Sequence, residues 1–184
     1  MRERMRHVVL PAGLALLAVL AGCSTETRIQ GADAALAPDD GSPGFLDRVA
    51  SQATVPENDA LRGVLMLLDG DDKAKTFQQR IDALAAKGVT PADWTYDASR
   101  PVTKGRLAYM ICRACEVGGG VMMHLTGPSQ RYCLRELQYL RMMSPGSVFA
   151  EITGSEYVAV LSRADTYRRT GQVPDIMKVT RGGM

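Results

Sequence analysis

Between Glu57 and Thr170 apolar residues return every three or four positions, the spacing that lines one face of an α-helix. Leu61, Val64, Leu65 and Leu68 make a first stripe, and Gly70 stands where a helix stops. Phe77, Ile81, Leu84 and Ala85 make a second, ended by Gly88. Leu107, Met110, Ile111 and Ala114 make a third, opened by Thr103, a good N-cap. The run Gly118-Gly119-Gly120 breaks it. Cys133, Leu137 and Leu140 make a fourth stripe that ends before Ser144-Pro145-Gly146. In the fifth, Tyr157, Val160, Leu161 and Ala164 follow Thr153 and Glu156, which are spaced as a capping box, and Gly171 closes the helix. Only Val121–Leu125 and Val148–Ile152 read as short extended pieces. The pattern predicts an all-α, or mostly α, fold.

Two stretches fifty residues apart are alike. Val102-Thr103-Lys104-Gly105-Arg106-Leu107-Ala108 aligns with Ile152-Thr153-Gly154-Ser155-Glu156-Tyr157-Val158, and the match runs on through Arg113/Arg163 and Ala114/Ala164. Upstream, the triads Phe77/Ile81/Leu84 and Cys133/Leu137/Leu140 share one spacing. Each unit reads as helix, loop, Thr-capped helix. Neither hides its apolar face alone, so the two are expected to stack. At these residues, over about 75–169, the chain resembles the S-layer homology module, whose second helix opens with Thr-Arg-Ala-Glu. The tetrapeptides here are Thr103-Lys104-Gly105-Arg106 and Thr153-Gly154-Ser155-Glu156. The first has Arg106 where the family has Glu, and the second has Gly154 where it has Arg. In the family that tetrapeptide contributes to binding an anionic cell-wall polymer; neither copy carries the full set.

The N-terminal part has a different grammar. Arg2, Arg4 and Arg6 precede an uncharged run from Val8 to Gly22, shorter than the roughly 20 residues a spanning helix needs. A positive start and a short apolar run describe an export signal. Its end, Leu20-Ala21-Gly22-Cys23, resembles the lipobox of bacterial lipoproteins. The resemblance implies cleavage before Cys23 and a diacylglyceryl group on its thiol. Ser24, rather than Asp, at the next position implies the outer membrane. Two or more acyl chains make a stable anchor, each buried CH₂ contributing about 0.8 kcal/mol. Residues 24–55 are rich in Ala, Asp, Gly, Pro, Ser and Thr, a composition that buries too little to offset its ordering entropy; the alternative is a strand or helix of a few residues within Phe45–Ala50. The expected organisation is therefore a signal over 1–22, a lipidated Cys23 and flexible tether over 23–55, a two-repeat helical body over 56–171, and a disordered tail over 172–184.

Charge narrows the partners. Residues 1–22 hold three Arg and one Glu, which leaves 19 basic against 19 acidic residues in the mature chain. A balanced chain has no electrostatic footprint for nucleic acid, and the membrane is expected to be engaged through the lipid. The cysteines carry the most suggestive chemistry. Cys112, Cys115 and Cys133, with His124 between them, have the count of a Cys₃His zinc set. The same thiols fit a helical core, or a disulfide between Cys115 and Cys133 outside the cell. Haem attachment lacks its histidine, since Glu116 follows Cys115. Asp69-Gly70-Asp71-Asp72 fails as a calcium loop, with Ala74 and Arg80 at the turn and closing positions; a helix stop followed by an N-cap accounts for it. Met122-Met123 and Met142-Met143 suit either a partner groove or a core. Trp94 and Tyr96 suit either a sugar platform or a plug between repeats. Among hydrolytic motifs, Gly-x-Ser-x-Gly is absent from the sequence. The expectation is a lipid-anchored, non-enzymatic envelope protein with no cofactor, whose partner, an envelope protein or glycan, meets Trp94, Tyr96, Thr103, Lys104, Thr153 and Glu156. The alternative is a thiol or metal protein using Cys112, Cys115, Cys133 and His124.

Overall fold

The computed structural model describes residues 41–173. They form α1 (Gly41–Ala50), α2 (Glu57–Asp69), α3 (Phe77–Ala86), α4 (Lys104–Ala114), α5 (Val121–Thr126), α6 (Gln130–Tyr139) and α7 (Gly154–Thr170). The fold is all-α, and among the described residues extended pairing is confined to isolated bridges, Pro56 with Pro101 and Thr103 with Glu151. Helix boundaries follow local chemistry. The hydroxyls of Thr76, Thr103, Ser129 and Thr153 each accept from the backbone N–H three residues on, supplying a partner that the first turn lacks. Gly70 and Gly171 end α2 and α7 in the left-handed conformation, at φ 81° and 69°.

Helix α1 corrects the expected tether. Residues 41–55 belong to the body: Phe45, Val49 and Val55 are fully buried. Burial of each such side chain contributes roughly 1.5–3 kcal/mol, enough to order a segment of poor helical composition once something covers it. Helix α7 is what covers it. At the other end Val173 packs against the core, so the body also reaches past 171. The short segment at Val121–Thr126 is helical rather than extended.

With α1 in place the body has three units, not two: α1–α2, α3–α4 and α6–α7, with α5 inserted before the third. Their packing is cyclic. Helix α3 lies on α2, α6 on α4, and α1 on α7, so the first helix of each unit rests on the second helix of the unit before it. The backbone repeats the pattern just ahead of each second helix. Val55, Val102 and Ile152 are buried at equivalent places. Two residues after each, an N–H reaches across to the neighbouring unit: Glu57 to Arg100 O at 2.8 Å, Lys104 to Ala150 O at 2.7 Å, and Gly154 to Gln52 O at 3.0 Å.

The repeat register of the first helices shifts by three. Thr76 and Ser129 are equivalent caps, and Gly88 and Arg141 are equivalent left-handed stops, at φ 66° and 58°. Leu84 therefore matches Leu137, and buried Arg80 matches Cys133. The repeated Arg113 and Arg163 hold the ends of these helices, Arg113 Nε donating to Gly88 O at 2.9 Å and Arg163 Nη1 to Met142 O at 3.1 Å.

Candidate functional site: the junctions between units

Each second helix begins at a junction with the next unit, where charged residues of the tetrapeptides meet. Glu57, 2 % exposed, takes Arg100 in a fork, with Nη2 at 2.9 Å from Oε1 and 3.2 Å from Oε2. Arg106 Nε stands 3.2 Å from the same carboxylate, and the Asp97 N–H donates to it at 2.9 Å. One unit on, Lys104 Nζ donates to Glu156 Oε1 at 2.8 Å and to Ser144 Oγ at 2.7 Å. In each case the first residue of a second helix binds the third residue of the next one. The polarity is reversed between the two junctions: acid to base for Glu57 and Arg106, base to acid for Lys104 and Glu156.

The third junction omits the pair. Gly154 occupies the position of Glu57 and Lys104, because a Cβ there would lie 1.7 Å from Val49 O. Its opposite number Asp59 turns to α1 and the following turn instead, accepting from Arg48 at 3.4 Å and Gln52 at 3.2 Å. Glycine at position 154 thus has a steric cause.

Glu156 was expected to complete a capping box. Its backbone N–H is capped by Thr153 Oγ1 at 3.3 Å, but its carboxylate goes to Lys104 and Ser144. Burial opposes the charge on Glu156, and the bonds from Lys104 and Ser144 outweigh it, so its pKa lies below the ordinary 4.5.

Trp94 and Tyr96 are half-buried in the first junction. The Trp94 ring tilts against Tyr109 at 5.3 Å and Tyr96 at 6.2 Å, and Tyr96 meets Phe77 edge-on at 6.5 Å. Arg106 lies over both, 4.4 Å from the Trp94 ring and 5.1 Å from Tyr96, and donates to Thr95 O at 2.9 Å. Burial lowers the Arg106 pKa and raises that of the Tyr96 phenol. The rings and Glu57 border a shallow dent of about 170 Å³, counting solvent in its mouth.

Of the expected partner surface, then, Thr103 and Thr153 cap helices and Lys104 is buried. Glu156 is paired with Lys104, while Trp94 and Tyr96 brace the junction. Lys104 is removed from the surface: with 7 % exposure and three internal acceptors it has nothing to present.

The thiols separate. Cys115 Sγ points to Ala164 O of α7 at 3.8 Å, and burial pushes its pKa up to about 12. Cys112 Sγ points the other way and donates to Cys133 O at 4.0 Å. Interaction with Cys133, and then burial, raises the Cys112 pKa, while interaction with Cys112 lowers that of Cys133. The expected Cys115–Cys133 disulfide is therefore corrected: Cys115 is directed at α7, and the thiol beside Cys133 is that of Cys112. His124 is exposed on α5, and among the described residues no group of three His, Cys, Asp or Glu side chains is placed to share a metal. Met142 and Met143 are core residues.

The sequence had no signal for Asp72 and Arg80 as partners. Arg80, 3 % exposed, donates to Asp72 at 2.6 Å and Asn58 at 2.9 Å, tying α3 to α2. The acid that resembled part of a calcium loop is a structural anchor. Cys23 lies outside the described residues, as do the rest of the expected signal, the tether up to residue 40 and the tail from 174. No protein-family model, no curated protein and no solved structure matches this chain.

Proposed function

We propose that this is a lipid-anchored, non-enzymatic protein of the bacterial cell envelope, whose three-unit helical body serves as a structural or protein-docking module. The observation that carries the body's role is the internal use of its repeat cations. Lys104 and Arg106 stand in the tetrapeptide where the resemblance to S-layer homology modules implies polymer binding, and both are engaged with carboxylates of adjacent units. A carboxylate or phosphate on an external polymer would have to displace Glu156 or Glu57 from a mostly buried pair, and breaking such a pair costs several kcal/mol. The thiols are buried beneath α4, α6 and α7, which supports a core role over an exposed redox site.

The anchor rests on Cys23 and the segment before it. Its test is the mass of the N-terminal peptide of protein extracted from membranes. An acylated Cys23 at the mature N-terminus is the expected result; an unmodified residue or an earlier start contradicts it. The body's role is tested by incubating the full chain, in detergent, with purified anionic cell-wall polymer at physiological salt. The expectation is no co-sedimentation above a neutral-polymer control, and saturable retention that Lys104→Met abolishes would overturn this reading.

A further inference from the structure

We propose that Cys112 and Cys133 join in a disulfide between α4 and α6 when the chain folds in the presence of a disulfide-bearing oxidant. The two residues lie on different helices that pack against one another, and the Cys112 sulfur is directed at Cys133. Cys112 Sγ is 4.0 Å from the Cys133 carbonyl oxygen, and exposures of 3 % and 0 % leave both thiols with protein neighbours only. Cys115, one turn along from Cys112, is directed at α7 and is excluded from the pair.

The exchange is balanced by the oxidant. The thiolate of one cysteine attacks the oxidant's disulfide and expels one thiol. The second cysteine then attacks the mixed disulfide and expels the other. Two electrons and two protons leave the Cys112 and Cys133 thiols and end on the oxidant's two sulfurs. Burial fixes the order of events. Once α6 is seated on α4 no oxidant reaches either sulfur, so the bond forms during folding and is shielded afterwards. It joins the second unit to the third and closes a loop that contains Gly118–Gly120 and α5. By loop length the bond raises the melting temperature by about 10 °C over the reduced form. The inference depends on the body alone and stands whether or not Cys23 is acylated.

Trypsin makes the test direct, because cleavage after Arg106, Arg113, Arg131 and Arg135 puts the three cysteines on three peptides, 107–113, 114–131 and 132–135. The full chain carrying Cys23→Ser is reduced, unfolded, and refolded with reduced and oxidised glutathione. Circular dichroism confirms helix, and the product is alkylated and digested without reductant. The expected species is 107–113 linked to 132–135, with 114–131 alkylated, and Cys115→Ser leaves it unchanged. Three alkylated peptides from helical refolded protein, or any link through 114–131, would overturn the proposal. Native protein prepared reduced and then exposed to the same oxidant should form the link at least tenfold more slowly than refolding chains; equal rates would contradict the shielding.

Discussion

The Tyr157 hydroxyl occupies the place that a side chain at Gly63 would need. A Cβ on Gly63 would lie 2.0 Å from Tyr157 Oη and 2.8 Å from Leu161 Cδ1. The phenol, fully buried in α7, donates to Ala60 O of α2 at 3.0 Å, and burial raises its pKa. A small residue in the first unit thus accommodates the largest core side chain of the third. Gly63→Ala should destabilise the body by about 3 kcal/mol through overpacking, and Tyr157→Phe by about 1–2 kcal/mol through the lost bond. Combined, they should cost less than the sum, since Phe removes the clashing oxygen. Urea melts of the four chains measure the coupling; strict additivity would contradict the contact.

Gly154 makes a second close approach, this time of α7 to the backbone of α1. Alanine there has to push Val49 O away and weaken the bond from Gly154 N to Gln52 O. The expected loss is about 3 kcal/mol or more, with Phe45 and Val49 becoming accessible. Amide hydrogen exchange should show faster exchange in residues 45–52 than in α3 or α6.

The Lys104–Glu156 pair gives stability a dependence on pH. The folded-state pKa of Glu156 is below its ordinary 4.5, so the stabilisation is complete above that value and is lost as pH falls through the lowered folded value. Glu156→Gln should lower stability near pH 7 by about 1–3 kcal/mol and flatten the decline as pH falls below 4.5. Denaturant midpoints across that range read both effects. A variant that keeps the wild-type slope would place the titration elsewhere.

Glu57 holds two guanidiniums together. Replacing it by Gln leaves Arg100 and Arg106 facing each other without the charge between them, a loss of about 2–4 kcal/mol. Adding Arg106→Gln should restore part of this, because the mutual repulsion goes with it. Thermal melts at low and at 0.5 M salt check the point, with salt narrowing the gap between Glu57→Gln and wild type.

Helices α2, α3, α4, α6 and α7 were legible in the sequence because each carries its own apolar stripe, and four have a Ser or Thr cap. Helix α1 was hidden for a physical reason. Its short apolar motif, Phe45 and Val49, sits among Gly, Pro and Asp, and its order comes from α7, a hundred residues away. The first unit was missed with it: only five residues lie between Val49 and Val55, against seventeen between Leu84 and Val102, so no loop announced a repeat. Lys104 and Glu156 were singled out separately as surface residues. That they bind each other follows from the cyclic packing of units, which no local spacing records. For the cysteines, composition suggested a cluster, but only the opposite directions of Cys112 and Cys115 from α4 show which one meets Cys133.

The central structural claim is that residues 41–55 complete a three-unit ring. Purified chains spanning 41–173 and 56–173 test it by thermal unfolding followed at 222 nm and in the aromatic region. The longer chain should melt in one cooperative transition with matching curves. The shorter one, lacking Phe45, Val49 and Val55, should lose its near-ultraviolet signal and its sharp transition, since roughly 5–8 kcal/mol of apolar burial goes with them and whole domains hold only about 5–15 kcal/mol. Equal melting temperatures for the two chains would contradict the claim and return the segment to the tether.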